Sequence, residues 1–332
     1  MKLKTNDPCW CGSGHKHKRC HGDRHALTYP PVTLGRVSPP RAVPDGIARP
    51  SYVTTGIVPP QTPQIQDAAS LTRLRRACAV AAEVLLRTGE QVGIGVTTDD
   101  LDRVAHDVYV ELGAYPSDLH YRGFPKSICT SVNGVVCHGI PDDRPLEEGD
   151  IINIDVTAYI DGMHGDTSAT FHVGTPTAAL AGLVDTTRDA TLRGIAAIRP
   201  FEPLQRIAEA IEPFAESRGY SVVREYGGHG IGESFHGAPH VSHHVDRRDD
   251  SIVVPGMTFT VEPMLCSGRA RFHQAADGWT EHADDNRPSA QFEHTVLVTD
   301  TGAEILTVTT DGRTAAGTLD TVNAARSSPR TT

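Results

Sequence analysis

The sequence predicts an α+β domain, because helical and strand patterns come in blocks rather than in alternation. Three observations carry this. Apolar residues recur at helical spacing over residues 66–87 and again after Thr97. Residues 127–173 then switch to the period-two alternation of strands. The same order repeats, with helical patterns at 177–199 and 203–218 and strands from Ser221 to Val308. Two helices followed by strands, twice over, hint at an internal structural duplication, although the halves share no evident sequence.

Each element has local grounds. Over 66–87, Leu71, Leu74, Cys78, Ala81 and Leu85 share one face, and Gly89 stands just past the end. After Thr97, Leu101, Val104, Val108 and Leu112 make a second apolar stripe. Pro213 falls inside the fourth helical pattern, so a kink or break is expected there. "NGVVCHGIP" reads as a short hairpin around Asn133-Gly134, with His138 at its end. "NIDVTAYIDGMHGDT" reads as two strands around a tight Asp161-Gly162 turn. "MTFTVEPML" reads as an apolar strand with Glu262 inside it, ended by Pro263, and Glu293 opens another in "PSAQFEHTVLV".

With 332 residues there is room for one large domain or two smaller ones. Residues 1–25 are rich in Cys, His and Lys. Residues 26–63 hold nine prolines, which argues against helix and central strand and for an extended linker or a surface-hugging arm. Residues 64–310 carry the globular pattern, and the tail 311–332 reads as disordered. Hydrophobic residues at 38% and charged residues at 22% suit a soluble globular protein. A net charge of −10 argues against wholesale nucleic-acid or membrane affinity. The first 25 residues run the other way, with six Lys and Arg against two Asp. No apolar run approaches ~18 residues, so no membrane span is expected. The basic residues of "MKLKTNDPCW" precede no apolar core, so no secretory signal is expected either. Seven cysteines, three of them clustered near the start, suit a reducing cytoplasm and a metal site better than a disulfide framework.

The polar residues inside the strands carry the chemistry. Ile152, Ile154, Val156 and Ala158 share one strand face; Asn153, Asp155 and Thr157 share the other, and Asp166 belongs to the neighbouring strand. Two readings fit this segment about equally. Either the two Asp lie on a solvated hairpin face, or they point inward and a cation neutralises them. Other segments favour the second. His229 sits among four glycines in "YGGHGIGESFHG", and Glu262 and Glu293 interrupt apolar strands. Asp155, Asp166, His229, Glu262 and Glu293 make an oxygen-rich set suited to two divalent ions such as Mn, Fe, Co or Zn. Such a pair, roughly 3.5–4 Å apart, would polarise a carbonyl and acidify a bridging water.

The runs "YRGFPKSICTSVNGVVCHGIP", "GDIINIDVTAYIDGMHGDTSATF", "YGGHGIGESFHGAPHV", "MTFTVEPM" and "AQFEHTVLV" closely resemble type I methionine aminopeptidases of the pita-bread fold. The resemblance covers roughly residues 66–308 and implies a curved antiparallel sheet backed by helices in two pseudo-symmetric halves. It implies removal of the initiator methionine from nascent proteins, with a small second residue preferred. Asp155 would then bind one metal, Asp166 and Glu293 would bridge both, and His229 and Glu262 would complete the pair. Glu262 would also shuttle a proton, His236 would stabilise the developing oxyanion, and His138 would contact the substrate amine or scissile nitrogen. Tyr121, Phe124, Cys129, Phe235 and Trp279 would form an apolar, sulfur-tolerant methionine pocket. The pattern does not extend across Asp118, three residues before Tyr121. A proline-specific aminopeptidase or prolidase, or a pita-bread scaffold that only binds, is the alternative.

"CWCGSGHKHKRCHG" offers Cys9, Cys11, Cys20 and His21, three thiolates and an imidazole suited to a closed structural zinc site. The run closely resembles the SEC-C zinc motif, which implies docking to proteins or ribosomes. About 20 residues bury no core, so the metal would supply the folding energy. Lys16, Lys18 and Arg19 either tether the module near ribosomal RNA or simply keep it soluble.

Overall fold

The computed structural model describes residues 29–318, together with Asn6 and Lys16. Cys9, Cys11, Cys20 and His21 lie outside the described residues.

Residues 29–66 run across the outside of the core. A one-turn helix, α1 (Ser51–Thr55), stands in this proline-rich stretch, where none was expected. Pro50 precedes it, and a proline at that point has no helical carbonyl behind it to clash with. Arg41 pairs with Asp99 at 3.1 Å and with Asp102 at 3.2 Å. The Tyr52 hydroxyl donates to the Ser117 carbonyl at 2.5 Å. Ala238 N–H donates to the Thr62 carbonyl at 3.0 Å, and Thr258 N–H to that of Gln64 at 3.0 Å. Residues 62–66 thereby cover a sheet edge whose backbone groups would otherwise be open.

Helix α2 (Ala68–Gly89) starts at an Asp67–Ser70 capping box and buries Leu74, Cys78, Ala81 and Leu85. It runs through Gly89 rather than stopping before it. Helix α3 (Thr98–Glu111) starts at a Thr97–Asp100 box. Then come β1 (Tyr115–Pro116), β2 (Cys129–Val132), β3 (Val135–Cys137), β4 (Ile151–Ile160) and β5 (Met163–His172). Helices α4 (Ala178–Ala197) and α5 (Arg206–Glu216) follow. Pro213 lies in the last turn of α5 without breaking it, and the helix stops soon after. The rest is strand: β6 (Ser221–Val222), β7 (Gly228–Gly230), β8 (Gly237–Val241), β9 (Thr258–Val261), β10 (Met264–Cys266), β11 (Phe272–Gln274), β12 (Glu281–Ala283), β13 (Ser289–Gln291), β14 (Glu293–Val298) and β15 (Ala303–Ile305). The tail expectation fails for its first part. Arg313–Thr314 (β16) and Gly317–Thr318 (β17) form a small hairpin, held by Arg313 to Asp311 at 2.9 Å and to Glu90 at 3.1 Å.

The main sheet is antiparallel, in the order β1-β4-β5-β14-β9-β7-β8, with β2 beside β4 and β15 beside β14. Its middle seam, β5 against β14, joins a strand of the first half of the chain to one of the second, with Glu293 opposite Ser168. Two local readings need correction. Asn133 takes the turn conformation (φ 50°), but β2 pairs with β4 and β3 with β12, so the expected hairpin is split between sheets. Glu262 is not inside a strand. It stands at the break between β9 and β10, because Pro263 has no N–H to continue the ladder.

Candidate metal centre and active site

The β4–β5 hairpin sets the first two carboxyls. Asp155 lies opposite Ser168 and Thr157 opposite Asp166, so both Asp share one face as diagonal neighbours. Across the seam, Glu293 stands beside Ser168, and Thr167 Oγ1 donates to the Glu293 carbonyl at 2.8 Å. His229 arrives on β7, pressed between β8 and β9. A side chain at position 228 would put its Cβ 2.1 Å from the Thr260 carbonyl oxygen, and one at 230 would put it 2.0 Å from that of Ala238. Gly228 and Gly230 are therefore required by close backbone approach.

Nε2 of His229 lies 3.7 Å from Asp166 Oδ2 and 3.7 Å from Glu262 Oε1. Its Nδ1 lies 3.2 Å from the Gly230 carbonyl, which assigns the ring proton to Nδ1 and leaves Nε2 bare. Donor atoms of Asp166, His229 and Glu293 all lie within 4.8 Å of one another. Asp166 Oδ1 is buried without a hydrogen-bond partner among the described residues. Such an orphan oxygen is costly unless something positive meets it.

The electrostatics agree. Burial pushes the Asp155 carboxyl up to about 7 and that of Glu262 to about 8, the latter helped by Asp155. Burial, then the neighbouring carboxyls, raises Asp166 and Glu293 well above the usual range. Burial pulls His229 down to about 4, so its imidazole is neutral and available as a ligand. Four crowded carboxyls and one bare imidazole nitrogen fit hard or borderline divalent cations.

All twelve site residues expected in the globular part line one cavity of about 320 Å³: the five candidate ligands, His138, His236, Tyr121, Phe124, Cys129, Phe235 and Trp279. His236 Nδ1 meets the Tyr121 hydroxyl at 3.0 Å, and the Phe235 ring stacks on the imidazole at 4.1 Å. Burial, then nearby His229 and His138, holds His236 well below its ordinary range. His138 follows β3 with a positive φ of 55° and points its ring edge-on to Tyr226 and Trp279. Phe124 and Trp279 meet edge to face at 5.1 Å.

Other residues of the cavity had no assignment from sequence. Thr157, Tyr226 and Met264 line it, and Asp118 brings a further carboxyl, which burial and then Asp155 raise well above its ordinary range. Thr157 was legible from the alternation that placed it beside Asp155. Nothing local marks Met264. Among the described residues no helix is long and apolar enough to cross a membrane.

The family model for metallopeptidase family M24 matches residues 72–300. Methionine aminopeptidase 2 of Mycobacterium tuberculosis is 50% identical over 277 residues, covering 83% of this chain and 97% of that protein. The chain belongs to metallopeptidase family M24, on its methionine aminopeptidase branch. This family uses divalent metal, in keeping with the donor set. The crystal structure of methionine aminopeptidase from Rickettsia prowazekii superposes with a TM-score of 0.73 at 44% identity, over 74% of this chain and all of that one. The fold is therefore pita-bread. Prolidase from Pyrococcus furiosus shares it, with a TM-score of 0.60 over 74% of this chain and 65% of that one, at 21% identity, a likeness of fold alone. A SEC-C motif model matches residues 6–23.

Proposed function

We propose that this M24 enzyme removes the N-terminal methionine of nascent polypeptides, using two divalent cations held by Asp155, Asp166, His229, Glu262 and Glu293. The observation that carries the reading is the meeting of these five side chains, from both halves of the chain, with an apolar aromatic pocket in one cavity. Bound there, the cations supply Lewis-acid polarisation of the scissile carbonyl and an acidified water.

The protein's own groups do the rest. Tyr121, Phe124, Cys129, Phe235 and Trp279 enclose the methionine side chain; aromatic faces and a thiol suit a thioether. The Tyr121 hydroxyl lies 3.0 Å from His236 Nδ1; with the tyrosine as donor, the neutral ring carries its proton on Nε2, free to donate to the carbonyl oxygen as charge develops there. His138 takes the scissile nitrogen or the substrate amine. Glu262, at the break between β9 and β10 and facing His229, passes a proton toward the leaving nitrogen. The second substrate residue is small. Co, Mn, Fe and Zn all suit the donor set, and availability selects among them.

Hydrolysis of Met-Ala-Ser and Ala-Pro-Ala by the metal-loaded protein tests this. Release of methionine without cleavage of Ala-Pro-Ala supports it; the opposite preference supports a prolidase, and inertness with full metal content a binding scaffold. Among Met-X-Ser peptides, Ala and Gly at X are cleaved faster than Leu.

Cys9, Cys11, Cys20 and His21 hold one structural zinc, and the basic residues of the module tether the enzyme to ribosomes. The SEC-C match and the local excess of four positive charges, six Lys and Arg less two Asp, support this. Equal co-sedimentation of wild type and Cys20→Ser with ribosomes would remove the tether. The enzyme works in a reducing cytoplasm, in line with its free, buried Cys78, Cys129, Cys137 and Cys266.

A further inference from the structure

Thr260 touches two of the candidate ligands at once. It sits on β9, fully buried. Its Oγ1 accepts the His229 backbone N–H at 3.0 Å and donates to Glu262 Oε1 at 2.6 Å. One hydroxyl thus joins a ligand on β7 to a ligand at the end of β9. The two ligand groups face each other at 3.7 Å.

One end of this link is a backbone N–H on β7, whose His229 pairs with His240 of β8, and the other is the side-chain carboxylate of Glu262. β7 is registered on β9 through Gly230 and Phe259, so the His229 N–H depends on the threonine side chain. Glu262 follows the last paired residue of β9 and precedes Pro263, so its N–H has left the ladder. That N–H donates instead to Nε2 of buried His243 at 3.0 Å. Gln291 Nε2 reaches the other carboxylate oxygen of Glu262 at 3.2 Å. Of these contacts, only the Thr260 hydroxyl restrains both ligands. Valine has the same shape and as strong a strand preference, so packing and propensity alone do not require a hydroxyl here.

We propose that Thr260 is a positioning residue: by tying His229 to Glu262 it sets the affinity of the cation site those two ligands share. The idea rests on the metal assignment above. Partners that orient a ligand change metal affinity by ~10–100-fold. Asp155 has no part in the Thr260 link, so the second cation, held chiefly by Asp155, is the internal control.

The test is stepwise calorimetric titration of the metal-free full-length protein with Mn²⁺ alone, for wild type, Thr260→Val, Thr260→Ala and Thr260→Ser, with each melting temperature recorded. Thr260→Val weakens one binding step by ~10–100-fold and leaves the other at its wild-type value. Thr260→Ser, which keeps the hydroxyl, retains both. Wild-type affinity for both steps in Thr260→Val overturns the proposal, and so does equal weakening of both together with a fall in melting temperature. If Thr260→Val does not fold, Thr260→Ala is read by the same criteria, and loss of folding in both assigns Thr260 to the core and overturns the proposal. Failure of wild type itself to bind two cations would instead overturn the metal assignment, and this proposal with it.

Discussion

His229 Nε2 and Asp166 Oδ2 stand 3.7 Å apart, although 62 residues and the seam between the two halves separate them. An unprotonated imidazole nitrogen facing a buried carboxyl is an attractive pair only with a cation between them or a proton on one of them. Four crowded carboxyls around His229 favour the cation. It follows that the metal-free centre is strained electrostatically and the loaded one is not.

Replacing Asp155 by Asn therefore has two effects of opposite sense. Losing a direct ligand costs more than losing a partner that merely orients one, so turnover falls by on the order of 100-fold or more and one metal is lost. The metal-free variant meanwhile melts higher than metal-free wild type near pH 8, because one buried anion has gone. Elemental analysis and calorimetry check both.

The pH dependence of stability follows from the same groups. Asp155 and Glu262 have folded-state values raised to about 7 and about 8, above those of unfolded carboxyls. Between these limits the folded metal-free protein binds more protons than the unfolded one, so stability falls as pH rises. Their contribution is present in acid and lost on passing pH 7 to 8. Buried His229 and His138, lowered to about 4, act in the opposite sense, but only between pH 4 and 6.5. From pH 6.5 to 8.5 the melting temperature of the metal-free protein drops while that of the loaded protein holds. Metal uptake at pH 6.5 releases protons, measurable by titration in buffers of different ionisation enthalpy. Activity falls in acid as protons compete with metal, first for Asp155 and Glu262 and at lower pH for His229.

The Tyr121–His236 hydrogen bond makes a narrower claim. Tyr121→Phe removes one neutral hydrogen bond, about 0.5–1.5 kcal/mol, so kcat drops by ~2- to 12-fold with little change in KM. His236→Ala removes the donor to the oxyanion itself and costs ~10²–10³-fold. Steady-state kinetics on Met-Ala-Ser separate the two.

Away from the centre, Lys126 is buried against Asp99 and Asp102, under Arg41 and Ser38 of the arm. Lys126→Met removes one of the two cations facing Asp99 and Asp102, Arg41 keeping its place, and destabilises the fold by about 1.5–3 kcal/mol, the worth of a hydrogen bond to a charged group. A second substitution, Asp99→Asn, recovers part of that. Chemical denaturation of the two variants measures it.

How much of this was legible beforehand depended on the kind of signal. Asp155 and Asp166 could be placed on one face because strand alternation is a local rule. Gly-dense "YGGHGIG" flagged His229 because only close backbone approach calls for so many glycines, and Gly228 and Gly230 supply the reason. The five ligand candidates could be gathered as acidic residues and a histidine set in apolar or Gly-dense strands, but their separate roles and the methionine pocket came from family resemblance, since pairing across the β5–β14 seam leaves no trace in local sequence. The Asn133-Gly134 turn was readable, but the partners of its flanking strands were not, because both pair with distant segments. Thr260 and His243 went unseen for the same reason: a threonine in a strand looks ordinary until the chain it holds is known. The helix at Ser51–Thr55 and the hairpin at 313–318 were hidden by composition, proline in one case and polarity in the other.

Anomalous diffraction from crystals grown with Mn²⁺ decides whether the centre holds two cations. Two peaks are expected roughly 3.5–4 Å apart, with Asp166 and Glu293 between them, Asp155 on one and His229 with Glu262 on the other. An empty centre in an active crystal, or peaks bound elsewhere, would contradict it.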